Sequence, residues 1–227
     1  HVDKVDADEE LARVEKSAGL AEMYSSRLSV LVGPAGTGKT TLLRALADLP
    51  DIRAKGVLML APTGKARVQL QTKGGHNAQT LASFLIKKGG YNPDTGQYSE
   101  VDPIHKLDVG LVVIDEASML TEEMLAATIS ALGSVQRLVL VGDPRQLPPI
   151  GAGRPFLDVV EWLRPDSFAG DKQVGPGYVE LRVFRRQGGM DRDDLALAAW
   201  FGGGALPPGA DAIGERWRAG VPVATLA

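Results

Sequence analysis

Short apolar runs recur along the chain, and each is followed by turn residues and then by a helical pattern. Four of these runs are rich in Val, Leu and Ile, and they occupy residues 28–32, 56–61, 110–115 and 137–142. Continuous apolar strands that alternate with helices predict an α/β fold, a parallel sheet with helices on both faces. Ligands of such folds bind at the carboxyl ends of the strands, so the turns after these runs are the first candidates for chemistry.

Three further stretches give local predictions outside these runs. Residues 9–24 have the pattern of a charged amphipathic helix, and residues 87–103 contain Asn-Pro-Asp-Thr-Gly between short flanks, which predicts a β-hairpin. We expect residues 180–184 to form one more strand, and we expect Thr121 to cap a helix. Pro and Gly become frequent after residue 165, where the periodicity weakens.

Composition and charge narrow the class of protein. The chain has 227 residues, of which 44% are hydrophobic and 23% are charged, and these values are ordinary for a soluble globular protein. Cysteine is absent, which excludes disulfides, thiolate zinc sites and a Cys nucleophile. The net charge of −3 does not indicate nucleic acid, so such a partner has to be argued from local sites. No apolar run approaches the ~18 residues of a membrane span, and no signal-peptide pattern opens the chain; we therefore expect a cytoplasmic protein without a membrane partner.

The turn after the first apolar run carries a phosphate-binding motif. Residues 33–41, "GPAGTGKTT", fit G-x-x-x-x-G-K-[ST], with a strand before them and a helix after them. Glycines let backbone N–H groups curl around phosphate oxygens, Lys39 reaches the β- and γ-phosphates, and Thr40 offers a hydroxyl to Mg²⁺. The predicted nucleotide-binding residues are Gly33, Pro34, Ala35, Gly36, Thr37, Gly38, Lys39, Thr40 and Thr41.

The third apolar run ends in two adjacent carboxylates, Asp115 and Glu116. Beside a P-loop, Asp115 would hold Mg²⁺, and Glu116 could turn toward the γ-phosphate, where it would orient and deprotonate a water molecule. Taken alone, the two residues are equally consistent with a solvated pair that interacts with the dipole of the following helix. The P-loop in the same chain favours the catalytic alternative, and the two motifs together predict a nucleotide hydrolase.

The order of the motifs along the chain resembles that of a known family. After the P-loop come "APTGKAR" (61–67), "AQTLASFL" (78–85), "VVIDEASML" (112–120), "LVGDPRQLPPIGAG" (140–153) and "VFRRQ" (183–187). This series resembles motifs I, Ia, Ib, II, III and IV of superfamily 1 helicases. It is most similar to the RecD-like helicases of the 1B branch, including exodeoxyribonuclease V α-type subunits and the helicase module of conjugative relaxases. The resemblance covers residues 28–187 and implies a RecA-like P-loop NTPase fold and an ATP-driven motor that moves 5′ to 3′ on single-stranded DNA.

The resemblance implies roles for the matching positions. The implied catalytic residues are Lys39, Glu116, Gln146 and Arg185, and the implied Mg²⁺ ligands are Thr40 and Asp115. Gln146 would sense the γ-phosphate or its attacking water. Arg185 would be an arginine finger on the γ-phosphate, and it is preferred to its neighbour Arg186 because it follows the aromatic residue directly. ATP and Mg²⁺ are the implied cofactors.

The same resemblance implies contacts with the DNA backbone. The positions are Pro62, Thr63, Lys65, Thr80 and Ser83. A strand end with Pro, Thr and Gly offers a hydroxyl and free N–H groups to a phosphate, and Lys65 adds positive charge. For Lys65, an ordinary exposed helix lysine is an equally good interpretation.

The chain departs from the family pattern at two places in the motor. Relatives have an adenine-reading Gln before the P-loop, but no Gln precedes Gly33 here, so no residue is assigned to base recognition. Many relatives also have a His in motif Ib, where this chain has Thr80, Leu81 and Ala82. Motifs V and VI, which belong to the second motor domain of the family, are absent.

These matches and departures imply a division of the chain. We expect a helical lead-in at 1–27, a first motor domain at 28–180 and the incomplete start of a second motor domain at 181–227. A hairpin insertion at about 86–104 would be the pin that splits the duplex in relatives. Its two tyrosines, Tyr91 and Tyr98, either stack on bases or pair with each other across the strands.

The implied partners are single-stranded DNA, a second RecA-like domain of the same polypeptide, and nuclease or helicase subunits of a RecBCD-like enzyme. Arginines of the second domain would complete the site, so we expect the isolated segment to hydrolyse ATP weakly. Two alternatives stay open: a nucleotide-dependent nucleic-acid-binding module without unwinding activity, and an RNA helicase of the same superfamily.

Overall fold

The computed structural model describes residues 2–101, 107, 109–168 and 173–183. The chain divides into two units, residues 1–185 and 186–227, and all described residues belong to the first. Its helices are α1 (Val2–Ser25), α2 (Lys39–Ala47), α3 (Pro50–Lys55), α4 (Gly64–Gly74), α5 (Leu81–Lys88), α6 (Glu122–Leu132) and α7 (Pro155–Leu163). Its strands are β1 (Leu28–Val32), β2 (Val57–Ala61), β3 (Ala78–Thr80), β4 (Tyr91–Asn92), β5 (Gln97–Tyr98), β6 (Leu111–Ile114), β7 (Leu138–Gly142), β8 (Val174–Gly175) and β9 (Tyr178–Glu180).

Seven of these strands form one sheet in the order β3-β2-β6-β7-β1-β9-β8. Its neighbouring strands are parallel, with the single exception of the antiparallel pair β8–β9. The four predicted core strands are all present and lie side by side as β2, β6, β7 and β1. The predicted α/β fold with a parallel sheet is therefore confirmed.

Helices cover both faces of the sheet because strand side chains alternate between two hydrophobic clusters. In β6, Val112 and Ile114 belong to the cluster that contains buried residues of α5, α6 and α7. Leu111 and Val113 belong to the cluster that contains buried residues of α1, α2, α3 and α4. All four side chains are fully buried, which explains why β6 has an uninterrupted apolar sequence.

The strand predicted at 180–184 is wrong in position. The strand is β9, Tyr178–Glu180, and residues 181–183 follow it without strand structure, while residue 184 lies outside the described part of the chain. The tight turn at Gly177, which has φ +70°, starts the strand early. The Arg182 N–H ends the ladder because it donates to the Glu15 carboxylate of α1 (2.9 Å) and not to a neighbouring strand.

The N-terminal helix is longer than predicted, and its carboxylates form hydrogen bonds with the backbone on either side of β9. Besides Glu15, Glu22 accepts hydrogen bonds from the Gly177 N–H (2.7 Å) and from the Ser26 hydroxyl (2.6 Å). A Cβ on Gly19 would lie 2.6 Å from Val179, so the helix backbone approaches β9 closely at this point. No helix in the described ranges has both the length and the apolar character needed to cross a membrane.

The predicted hairpin is a separate two-stranded sheet formed by β4 and β5. Tyr91 pairs directly with Tyr98 across the strands, and their ring centroids are 4.6 Å apart. Both rings are half-buried and pack against the cluster that contains α5 and α6. This is the cross-strand pair that the sequence offered as one of two alternatives.

Candidate active site

The turns that follow β1, β6 and β7 meet at one edge of the sheet. Strand β7 lies between the other two, with Val32 opposite Gly142 and Ile114 opposite Leu140. The P-loop, the acidic pair and the Gln146 loop therefore begin within two residues of the same level. This convergence agrees with the expectation that ligands of α/β folds bind at the carboxyl ends of the strands.

The P-loop is a backbone cradle built on left-handed glycines. Gly36 and Gly38 have φ of +87° and +91°, and Gly38 begins α2 without a side-chain cap. The amide groups of this helix N-terminus are therefore available to an anion, and the helix dipole favours negative charge there. The buried Thr37 hydroxyl donates to the Pro34 carbonyl (3.0 Å) and stiffens the loop from inside.

Lys39 is held within the cradle. Its Nζ donates to the carbonyls of Gly33 (2.5 Å) and Pro34 (3.0 Å). Burial lowers the pKa of this lysine, and the nearby carboxylates of Asp143, Asp115 and Glu116 oppose that shift. Partial burial strengthens the attraction between this ammonium group and a phosphate oxygen, because less water screens the two charges.

Asp143 is a residue of this site that the sequence reasoning missed. It follows β7 directly, and it is the first of the three carboxylates in its effect on Lys39. Its Oδ1 also accepts the Arg145 N–H (3.0 Å), and its carbonyl accepts the Gln146 N–H (3.0 Å), so it shapes the Gln146 loop. The signal was available in the sequence, since Asp143 ends a buried strand as Asp115 does.

The acidic turn after β6 has an unusual backbone. Glu116 has φ +53° and ψ +39°, and it is the one non-glycine residue with positive φ in the described ranges. Its N–H donates to Asp115 Oδ1 (3.0 Å). Burial raises the pKa of Asp115, while this hydrogen bond and the Lys39 ammonium lower it.

The Gln146 side chain is anchored to the acidic turn. Its Oε1 accepts a hydrogen bond from the Ser118 hydroxyl (3.2 Å). Ser118 lies in the short 3₁₀ helix Ala117–Met119 and is only 8% exposed, whereas Gln146 is exposed. Ser118 was given no role from the sequence, because nothing local indicates that it reaches a loop 28 residues away.

The donor set fits Mg²⁺ bound together with a nucleotide. The described residues contain no group of three or more acidic or His side chains that could hold a metal by themselves. Mg²⁺ usually takes one or two protein carboxylates, several waters and the phosphates of the substrate. Thr40, in the first turn of α2, and Asp115, at the end of β6, offer such hard oxygen ligands.

The predicted DNA-binding residues lie at the neighbouring strands β2 and β3. These strands pair in parallel with Ala61 opposite Thr80, which brings the two segments together at the same edge of the sheet. Thr63 and Thr80 are N-caps of α4 and α5, and their hydroxyl oxygens accept the N–H groups of Ala66 and Ser83 (both 3.2 Å).

Each threonine hydroxyl keeps its hydrogen for another acceptor, while the Ser83 N–H is already used by a cap. Pro62, just before the N-cap Thr63, is half-buried. Lys65 is exposed on α4, which agrees both with a DNA contact and with an ordinary surface lysine. Arg185 and Arg186, the alternatives for the arginine finger, lie outside the described residues.

Comparisons with known proteins agree with this geometry. Residues 14–199 match the model of a family described as "AAA domain". The ATP-dependent RecD2 DNA helicase of Deinococcus radiodurans is 35% identical over 147 residues, which are 65% of this chain and 20% of that protein. The RecBCD enzyme subunit RecD of Mycolicibacterium smegmatis is 35% identical over 211 residues, 82% of this chain and 37% of that protein.

A solved structure shows the same fold. The crystal structure of Bacteroides Pif1 bound to ssDNA matches 82% of this chain and 45% of that chain, with 25% identity and a TM-score of 0.52. The chain spans about a fifth to somewhat over a third of the two curated relatives described above. The resemblance that the motifs indicated is thus confirmed: this chain belongs to the AAA domain family, and it is similar to RecD-like superfamily 1 helicases.

Proposed function

We propose that this chain is the ATP-hydrolysing motor domain of a helicase or translocase that acts on single-stranded DNA. The observation that carries the proposal is the convergence of Lys39, Asp115, Glu116 and Asp143 at one sheet edge, with Lys39 desolvated beside the three carboxylates. A plain anion-binding loop has no need of acidic groups near its lysine, whereas ATP hydrolysis requires a metal ligand and a proton acceptor there.

Each residue contributes one step to hydrolysis. Lys39 would exchange the carbonyls of Gly33 and Pro34 for β- and γ-phosphate oxygens, and the free N–H groups of the loop would bind the remaining oxygens. Mg²⁺, held by Thr40 and Asp115, would neutralise the charge that develops on the phosphates. Glu116 would accept a proton from the attacking water, and its left-handed backbone turns it out of the strand direction that Asp115 follows.

The proposed DNA path crosses the N-termini of α4 and α5. The helices α4 and α5 begin just after the adjacent strands β2 and β3. Their N-termini would present N–H groups and the Thr63 and Thr80 hydroxyls to a phosphate backbone, and Lys65 would add positive charge. The similar structure of Bacteroides Pif1, which is bound to ssDNA, supports a single strand as the substrate. Movement from 5′ to 3′ is part of this proposal, because the motif series resembles the 1B branch.

The wider setting of the chain is also part of this proposal. A second RecA-like domain would supply arginines to the ATP site, Arg185 or Arg186 at its start among them. The relative named as the RecD subunit of the RecBCD enzyme supports further enzyme subunits as partners, which we propose to be nuclease or helicase subunits. A cytoplasmic location is part of the same proposal. A nucleotide-dependent binding module would not need the proposed base Glu116 or the phosphate-sensing amide of Gln146. The RNA helicase is the alternative that the experiment below separates.

The test measures ATP hydrolysis of the full-length protein with single-stranded DNA, with RNA and without nucleic acid. Glu116→Gln should lower DNA-stimulated turnover by about 10²- to 10⁴-fold, the range of a general base, and should leave nucleotide affinity nearly unchanged. Glu123→Gln, at an exposed carboxylate of α6, is the matched control and should retain full turnover. Wild-type turnover in Glu116→Gln would contradict the base assignment, and stronger stimulation by RNA would favour the RNA helicase.

A further inference from the structure

We infer that Ser118 is a positioning residue that holds the Gln146 amide and thereby links the acidic turn to the Gln146 loop. The inference rests on the proposed function and adds a residue to which no role was assigned. In the described part of the chain, the bond from Ser118 Oγ to Gln146 Oε1 is the one side-chain hydrogen bond between these two segments. It connects the residue two positions after Glu116 with the residue three positions after Asp143.

Ser118 has a fixed place because the backbone around it is fixed. The Met119 N–H donates to the Glu116 carbonyl (3.0 Å), and the Leu120 N–H donates to the Ala117 carbonyl (3.1 Å), which closes the 3₁₀ turn. A Cβ on Gly142 would lie 3.2 Å from the Ser118 N and 2.9 Å from the Phe156 ring. The turn is therefore seated directly on the end of β7, where a side chain would push it away.

Gln146 differs from Ser118, because its backbone is held by a hydrogen bond while its side chain is exposed. The Gln146 N–H is bound to the Asp143 carbonyl, and Pro148 and Pro149 restrict the chain that follows. No other hydrogen bond of its amide is present within the described residues. An exposed glutamine side chain has several rotatable bonds, so without Ser118 the amide would sample many orientations.

The hydrogen bond from Ser118 determines which atoms of the Gln146 amide are left for another partner. Ser118 donates and Gln146 accepts through Oε1, which leaves the two amide N–H groups for a further partner. A phosphate oxygen is an acceptor, so the held amide suits the γ-phosphate. Any shift of the acidic turn during hydrolysis would reach the Gln146 loop through this bond, and a shift of the loop would reach Glu116 by the same route.

The test is a double-mutant cycle of Ser118→Ala and Gln146→Ala in the full-length protein. Ser118→Ala should lower DNA-stimulated kcat by about fivefold to tenfold, the effect of one hydrogen bond, while the KM for ATP changes less than about twofold. In the Gln146→Ala background, Ser118→Ala should have no further effect, because its partner is already gone. Ser130→Ala is the matched control, since that half-buried serine donates to the Ala127 carbonyl of α6 and accepts the Val101 N–H, and neither partner belongs to the proposed ATP site.

The outcomes separate this inference from the proposed function. If wild type shows no DNA-stimulated hydrolysis, the proposed function itself is wrong. If wild type hydrolyses ATP but the two single effects multiply in the double variant, Ser118 acts independently of Gln146 and the inference is overturned. A loss in Ser118→Ala that appears in the KM, or as an equal loss in Ser130→Ala, would also overturn it, because a positioning role predicts a change in kcat at this serine alone.

Discussion

The turn after β1 and the turn after β6 both contain residues with positive φ, but the two turns place different residue types there. Both leave a buried strand through left-handed backbone. The turn after β1 places glycines there, with φ of +153° at Gly33, +87° at Gly36 and +91° at Gly38. The turn after β6 places Glu116 there, at φ +53°.

The difference shows what each turn has to present to a ligand. The first turn offers its backbone, so side chains would only obstruct it, and glycine adopts positive φ without cost. The second turn offers a carboxylate, so a residue with a Cβ has to tolerate a conformation that costs roughly 1–2 kcal/mol. Strain of this kind is concentrated at functional sites, so the comparison indicates a functional role for the Glu116 side chain.

The largest expected effect comes from breaking the glycine turn with Gly33→Ala. The new Cβ would lie 2.5 Å from the Leu181 carbonyl oxygen, which belongs to backbone and cannot rotate away. We expect the free energy of unfolding to fall by about 3 kcal/mol, from left-handed strain and overpacking together. Urea denaturation of the nucleotide-free protein measures this loss.

The matched control for Gly33→Ala is Gly96→Ala in the hairpin turn. Gly96 also has positive φ, +70°, but a Cβ there would meet nothing within 4 Å. Its substitution should cost only the conformational part, about 1 kcal/mol. Equal losses at the two positions would mean that the Leu181 contact is not what requires glycine at the start of the P-loop.

The second effect comes from relieving the strain with Glu116→Gly. The variant should unfold at the same temperature as wild type or higher, since glycine releases about 1 kcal/mol of left-handed strain. Glu123→Gly, in the first turn of α6, should instead lose about 1 kcal/mol, the usual cost of glycine in a helix. Thermal unfolding of the two variants side by side measures the difference, and equal losses would show that Glu116 is not strained.

The parts of the molecule that could be predicted are those encoded locally. Strand β6 was predictable because all of its side chains are buried, and the P-loop was predictable because its glycines and Lys39 are consecutive. The contacts that complete the site are long-range. Ser118 reaches Gln146 across 28 residues, and Glu15 reaches Arg182 across 167, and neither pairing leaves a periodic signal in the sequence.

The same reason explains the misplaced last strand. The segment 180–184 alternates apolar and polar residues like a strand, yet a strand needs neighbours for its backbone groups. The Glu15 carboxylate takes the Arg182 N–H, and the ladder ends at Leu181, whose N–H donates to the Val32 carbonyl. The position of α1 determines where the Arg182 N–H finds its acceptor. The sequence pattern of residues 180–184 carries no information about that position.

The smallest expected effect is a pH-dependent gain in stability from Asp115→Asn. Burial raises the pKa of Asp115, so the ionised carboxylate costs stability in the folded state at neutral pH. Asn carries no charge and can still accept the Glu116 N–H, so the nucleotide-free variant should melt higher than wild type at about pH 7. The gain should shrink as the pH falls through the raised pKa and vanish below about 4, the ordinary value for Asp, where both side chains are neutral.

Repeating the melts with Mg²⁺ and a non-hydrolysable ATP analogue gives the control for Asp115→Asn. A ligand that binds the folded state stabilises it more the tighter it binds, by RT ln(1 + [L]/Kd), and the proposed metal ligand is missing in the variant. The order should therefore reverse, with wild type melting higher. If the variant stays more stable than wild type under both conditions, the Asp115 carboxylate does not hold the metal. The positive φ of the neighbouring Glu116 would then need an explanation other than ATP hydrolysis.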